Sequence, residues 1–313
     1  MKPDTLLALL LTCGLSACRA EEVKVARARG RRLRPPAVAD AFYPADAGRL
    51  RQTVDEMLTA AGETDIKGTV LAAAAPHAGY VFSGRVAACT FKAIANTSFD
   101  TMVIIGHDCY GGAVAYLSGA DAFETPLGKV AVDVDMVREL LNFSPGIRLN
   151  DAMHGREHTV ELQLPFLQAA GRQCKIVPVL FGDPTPENCR TFADAMAAAS
   201  EKRKVFVLAS CDMSHYPSYE DAVSLDRATL KALQSMDIDA LFAHFARAER
   251  GATPGLQTAM CAKGGVGAAL LFAINRGADN VKILKYANSG DVPAGDKRRV
   301  VGYGSAVMLK SGE

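Results

Sequence analysis

Four short apolar runs, Thr69–Ala75, Thr101–Ile105, Cys174–Leu180 and Val205–Ala209, limit what this chain can become. They carry little polar alternation, which marks strands covered on both faces, and they end in Pro, Gly, His or Ser. Between and around them the apolar residues recur with helical period. The spacing predicts helices over Asp46–Ala61, Ser83–Ala95, a segment around Met136–Leu141, Glu157–Ala170 and Pro186–Ser200. Further helices are predicted over Tyr219–Gln234, Ile238–Glu249 and Gly264–Asn275, with strands over Val281–Asn288 and Val300–Met308. Such alternation predicts an α/β fold: a central, mostly parallel or mixed sheet with helices on both faces. No Pro/Gly-rich linker and no internal repeat divides residues 38–310, so one domain is expected there.

Residues 1–18 read differently. Lys2, the apolar stretch Leu6 to Leu11 and the small residues of Leu15-Ser16-Ala17 before Cys18 resemble a bacterial lipoprotein signal. That pattern predicts export and acylation of Cys18, which would hold the protein at a membrane surface by a lipid anchor on the periplasmic face of the envelope. The basic run Arg27 to Arg34 then predicts a solvated tether over residues 19–37. Elsewhere 35 Lys and Arg nearly cancel 34 Asp and Glu, so no field favours nucleic acid. Eight cysteines in an exported chain permit disulfides, but no CxxC spacing assigns pairs.

In sheets of this kind chemistry collects beyond the carboxyl ends of the strands. Three of the six histidines fall there, in Pro76-His77-Ala78-Gly79-Tyr80, Gly106-His107-Asp108-Cys109-Tyr110 and Ser210-Cys211-Asp212-Met213-Ser214-His215. Cys261 precedes a glycine-rich helix start at Gly264, Gly265 and Gly267. Imidazole and thiolate together suit a transition metal, copper or iron first and zinc as a further choice, better than magnesium or calcium. The glycines lack the lysine-serine ending of a phosphate loop, so close helix packing is their expected role. No G-x-S-x-G elbow supports a serine hydrolase.

The ordered motifs PHAGY (Pro76 to Tyr80), REHTVELQLPF (Arg156 to Phe166), IVPVLFG (Ile176 to Gly182), SCDMSH (Ser210 to His215), Cys261 with its glycines, and YANSGD (Tyr286 to Asp291) resemble the Memo family (the AmmeMemoRadiSam system protein B group). The resemblance implies a fold like that of the class III, LigB-type extradiol dioxygenases. It also implies a functional link to a radical-SAM protein. Its metal ligands carry over to His77 and Cys261, while at the third ligand the family's histidine is replaced by Cys109. Either Cys109 or His107 is then the third ligand, since alternate side chains of an extended segment share a face. Cys109 and Cys261 are alternatively a disulfide pair. Asp212 and His215 match the family's aspartate and histidine beside the metal, as catalytic candidates: His215 as general base and Asp212 orienting its imidazole. His158 and Glu161 match a supporting segment. Two functions follow: a metal-dependent, dioxygenase-like oxidoreductase acting on a small molecule, or a non-catalytic copper- or iron-handling or peptide-binding scaffold.

Overall fold

The computed structural model describes residues 32–63, 65–171 and 173–312. The expected signal, its Cys18 and most of the basic run lie outside the described residues. In chain order the elements are β1 (Leu33–Arg34), α1 (Ala47–Ala60), β2 (Thr69–Ala75), α2 (Tyr80–Ala93), β3 (Thr101–Asp108), β4 (Ala115–Leu117), β5 (Ala122–Thr125) and β6 (Gly128–Ala131). Then come α3 (Val134–Phe143), β7 (Ile147–Leu149), α4 (Asp151–His154), α5 (Leu164–Ala169), β8 (Lys175–Phe181), α6 (Pro186–Ala199) and β9 (Val205–Ser210). The chain closes with α7 (Tyr219–Gln234), α8 (Ile238–Arg250), α9 (Lys263–Asn275), β10 (Asn280–Asn288) and β11 (Gly302–Lys310).

Eight strands form one mixed sheet in the order β10-β11-β2-β9-β3-β8-β4-β7. Its middle, β2-β9-β3-β8, is parallel, and antiparallel pairs join β11 to β2 and β4 to β8. The α/β class read from the sequence is therefore the observed one, with the sheet mixed. Two helix groups flank it. α9 lies along β2, β3 and β9 and packs on α6, while α2 lies along β2, β10 and β11 and packs on α1. The alanines of β2 leave room for helices: Ala72, Ala73 and Ala75 are wholly buried. Side chains at Gly264 and Gly267 of α9 would collide with Phe181 and Cys189, so those glycines serve close packing, as expected.

Two expectations fail here, both for one reason. Arg34 was assigned to a solvated tether, yet it is 5% exposed. Its guanidinium donates to Glu161, to the carbonyl of Glu157 and, at 3.0 Å, to the carbonyl of His154. Leu33–Arg34 pair with β5, so the fold begins before residue 38. Glu157 to Val160 were assigned to a helix, but the chain there stays irregular until a single 3-10 turn at Glu161–Gln163. A buried cation needs its counter-charges close. Glu157 and Glu161 both turn to Arg34 and are not laid on a solvated helical face. His154 is also wholly buried, with Nε2 3.0 Å from the carbonyl of Tyr116.

These buried groups make two predictions. Arg34→Ala strands Glu161 without its cation and is expected to cost about 3–5 kcal/mol in urea unfolding. Arg32→Ala, which removes the exposed 3.7 Å pair with Asp151, is expected to cost less than about 1 kcal/mol. Equal costs would contradict the clamp. Burial lowers His154 to about 4, below its ordinary value of 6.5, so the unfolded chain binds more protons between those values. Its contribution to stability is present above pH 6.5 and is lost as pH falls towards 4. Between pH 7 and pH 5 the His154→Gln variant should lose about 2 kcal/mol less stability than the wild type. An identical acid response would contradict this.

Candidate metal centre

The parallel pairing of β2 with β9 sets Ala75 opposite Ser210, so the loops that follow run side by side. Asp212 Oδ1 accepts the backbone N–H of His77 at 2.7 Å. Cys261 arrives from the loop before α9: its N–H donates to the Asp212 carbonyl at 3.2 Å, and its sulfur accepts the Asp212 N–H at 3.3 Å. His77 Nε2 then lies 3.3 Å from Cys261 Sγ, joining residues 184 apart in sequence. His77 is 3% exposed.

His107 reaches the same region through a β-bulge. Gly106 pairs with Leu180 and Asp108 with Phe181, leaving His107 as the extra residue of β3. A bulge breaks side-chain alternation and re-aims the inserted residue. The expectation that residues 107 and 109 share a face therefore does not hold. The His107 ring stacks 6.4 Å from His158, whose ring meets His77 edge-on at 5.5 Å. Cys109 packs instead with Ala113, Tyr116 and Leu180, its thiol 3.8 Å from the His107 carbonyl. Burial pushes that thiol up to about 12. Cys109 and Cys261 are both free thiols, unlinked to each other.

His215 stands against Cys261: burial lowers its imidazole, but the contact with Cys261 and the charge of Asp212 raise it overall, while its Nε2 is buried without a hydrogen-bond partner. Asp212 makes no hydrogen bond to this imidazole, contrary to expectation; its Oδ1 accepts the His77 backbone N–H instead. Glu161, expected in a supporting role at the site, accepts instead from Arg34, Ala37 N, Val38 N and Tyr43 and so closes the N-terminal segment over the fold. His158 does join the cluster, between His77 and Phe42. Sequence reasoning missed Ser210, Thr159 and Gln163, whose small polar side chains give no pattern, although they hold the cluster from beneath.

The electrostatics separate the rings. Burial opposes a charge on His77, but Cys261 and Asp212 outweigh it and raise the imidazole to about 9. Burial, aided by the His77 charge, lowers His107 to about 4 and His158 to about 3. Contact with Cys211, and then burial, pushes the Cys261 thiol up. Asp108, beside His107, is held up at about 8 by burial, although it caps α9 through the Gly264 N–H at 3.1 Å.

A donor pair of imidazole and thiol at hydrogen-bond distance fits a soft or borderline cation, and the buried Nδ1 of His107 has no partner. No group of three His, Cys, Asp or Glu among the described residues closes on one point. A third donor would come from a side-chain movement, such as a rotation of His107, or from outside the protein.

A Memo-like protein family model matches residues 34–307. The chain belongs to the Memo family. Among its relatives, a MEMO1 family protein of Pyrobaculum arsenaticum is 34% identical over 292 residues, covering 88% of this chain and 99% of that one. Another, from Nitrosopumilus maritimus, is 31% identical over 284 residues, covering 88% and 100%. A third, from Ignicoccus hospitalis, is 35% identical over 285 residues, covering 87% and 96%. A crystal structure of an uncharacterized protein from Escherichia coli K12 overlaps with TM-score 0.47 and 11% identity, over 74% of this chain and 99% of that one. The Memo match begins at Arg34, the residue that anchors the N-terminal segment, and takes in His77, His107, Asp212, His215 and Cys261.

Proposed function

We propose that this Memo protein binds one transition metal ion, copper or iron, through His77 Nε2, Cys261 Sγ and His107, and acts as a metal-dependent oxidoreductase on a small molecule. The observation that carries the reading is the 3.3 Å approach of His77 Nε2 to Cys261 Sγ, both further held by the backbone and side chain of Asp212. His107 is preferred to Cys109 because its ring is neutral, faces the cluster and has an unpartnered nitrogen. Cys109 has its sulfur in an apolar patch. A bound ion would supply redox and Lewis-acid chemistry. The protein's own part is to keep His158 and His215 beside it. His158 is held neutral by burial, while at His215 burial is outweighed by Cys261 and Asp212, which raise it, so the two rings suit proton movement to or from a substrate.

Metal analysis of protein purified anaerobically under reducing conditions tests the ligand set. Near one equivalent of copper or iron is expected in the wild type and in Cys109→Ala, with loss of most of it in His77→Ala, His107→Ala and Cys261→Ala. Loss in Cys109→Ala with retention in His107→Ala would exchange the third ligand. No uptake of either metal by the wild type would remove the reading.

A further inference from the structure

The cluster rests on a hydroxyl whose bonds can be fully accounted for. Ser210 Oγ lies 2.6 Å from the Thr159 carbonyl, 2.8 Å from Gln163 Nε2 and 3.1 Å from His77 Nδ1, and Ser210 is wholly buried. A hydroxyl has one proton and two lone pairs. The Thr159 carbonyl can only accept, so it takes the Ser210 proton. The Gln163 amide nitrogen also donates to the Pro76 carbonyl at 3.0 Å, which fixes the orientation of that amide, so it donates to Ser210 as well. One lone pair of Ser210 remains, and His77 Nδ1 can meet it only as an N–H.

We infer that Ser210 is a positioning residue that keeps a proton on His77 Nδ1, so that Nε2, directed at Cys261, is the nitrogen that releases its proton and offers a lone pair. Thr159 is the hinge of this arrangement. Its carbonyl orients Ser210, while its hydroxyl accepts the His107 N–H at 3.4 Å and donates to Glu157 Oε2 at 2.8 Å. One residue thereby supports both histidines. The approach is close enough that a side chain at Gly106 would collide with Thr159 Oγ1. Tautomer selection by a hydrogen bond to the second ring nitrogen is the general means by which a protein sets which imidazole nitrogen is a ligand.

This inference deepens the proposed metal site, yet the Nδ1–H bond to Ser210 is made without metal, so the two can fail separately. Long-range proton–nitrogen NMR of the reduced protein loaded with zinc reads the ring directly. His77 is expected to carry its proton on Nδ1, with the metal shift on Nε2. Ser210→Ala should lose the ordered Nδ1–H signal and bind zinc about 10- to 100-fold more weakly. A wild-type ring protonated on Nε2, or a folded Ser210→Ala variant with unchanged tautomer and zinc affinity, would overturn the inference. If the wild type takes up neither copper nor iron nor zinc, the metal reading fails. The metal-free spectrum recorded at a pH where the ring is observed to be neutral then decides: a proton on Nδ1 supports the inference, and one on Nε2 overturns it.

Discussion

The parallel register of β2 against β9 is the constraint from which the site follows. With Ala75 opposite Ser210, the Cys211 N–H donates to the Ala75 carbonyl at 2.8 Å and the two loops leave the sheet in contact. His77 and Asp212 are then neighbours, and the Asp212 backbone offers both its N–H and its carbonyl to Cys261. A one-residue slip would turn Ser210 to the other face of the sheet and take away the hydroxyl under His77. The alanines of β2 allow that register to be buried, because helices can approach the strand from α2 and from α9.

Much of this was legible in the sequence. Long segments with a clear period, such as Tyr219–Gln234 and Thr69–Ala75, coincide with the observed α7 and β2. The histidines at strand ends do gather, because parallel strands deliver their carboxyl ends to one edge. The unread parts share a cause: their conformation is set by partners distant in sequence. Strands of three or four residues such as β4 and β7 have no period to detect. Glu157 to Val160 would suit a helix locally, but the buried Arg34 draws their carboxylate away. The bulge at His107 overturns the two-residue periodicity that made Cys109 its equal, and nothing within the local sequence announces it.

Charge distribution gives the site its chemical character. Burial alone would leave every ring neutral, as it does for His107 and His158. His77 departs from them because Cys261 and Asp212 lie against it, and it is the ring whose two nitrogens are both engaged. The support beneath is made of groups that cannot titrate near neutrality: the Ser210 hydroxyl, the Gln163 amide and the Thr159 carbonyl. A support built this way keeps its hydrogen bonds while the rings above it gain or lose protons.

The central claim is that His77, His107 and Cys261 form one ligand set, with Cys109 outside it. X-ray absorption of the anaerobic, metal-loaded protein measures this most directly, with zinc as the simplest probe. The account predicts a single sulfur near 2.3 Å and imidazole nitrogens near 2.0–2.1 Å, the usual lengths for zinc. Two sulfurs in the shell, or none, would contradict it.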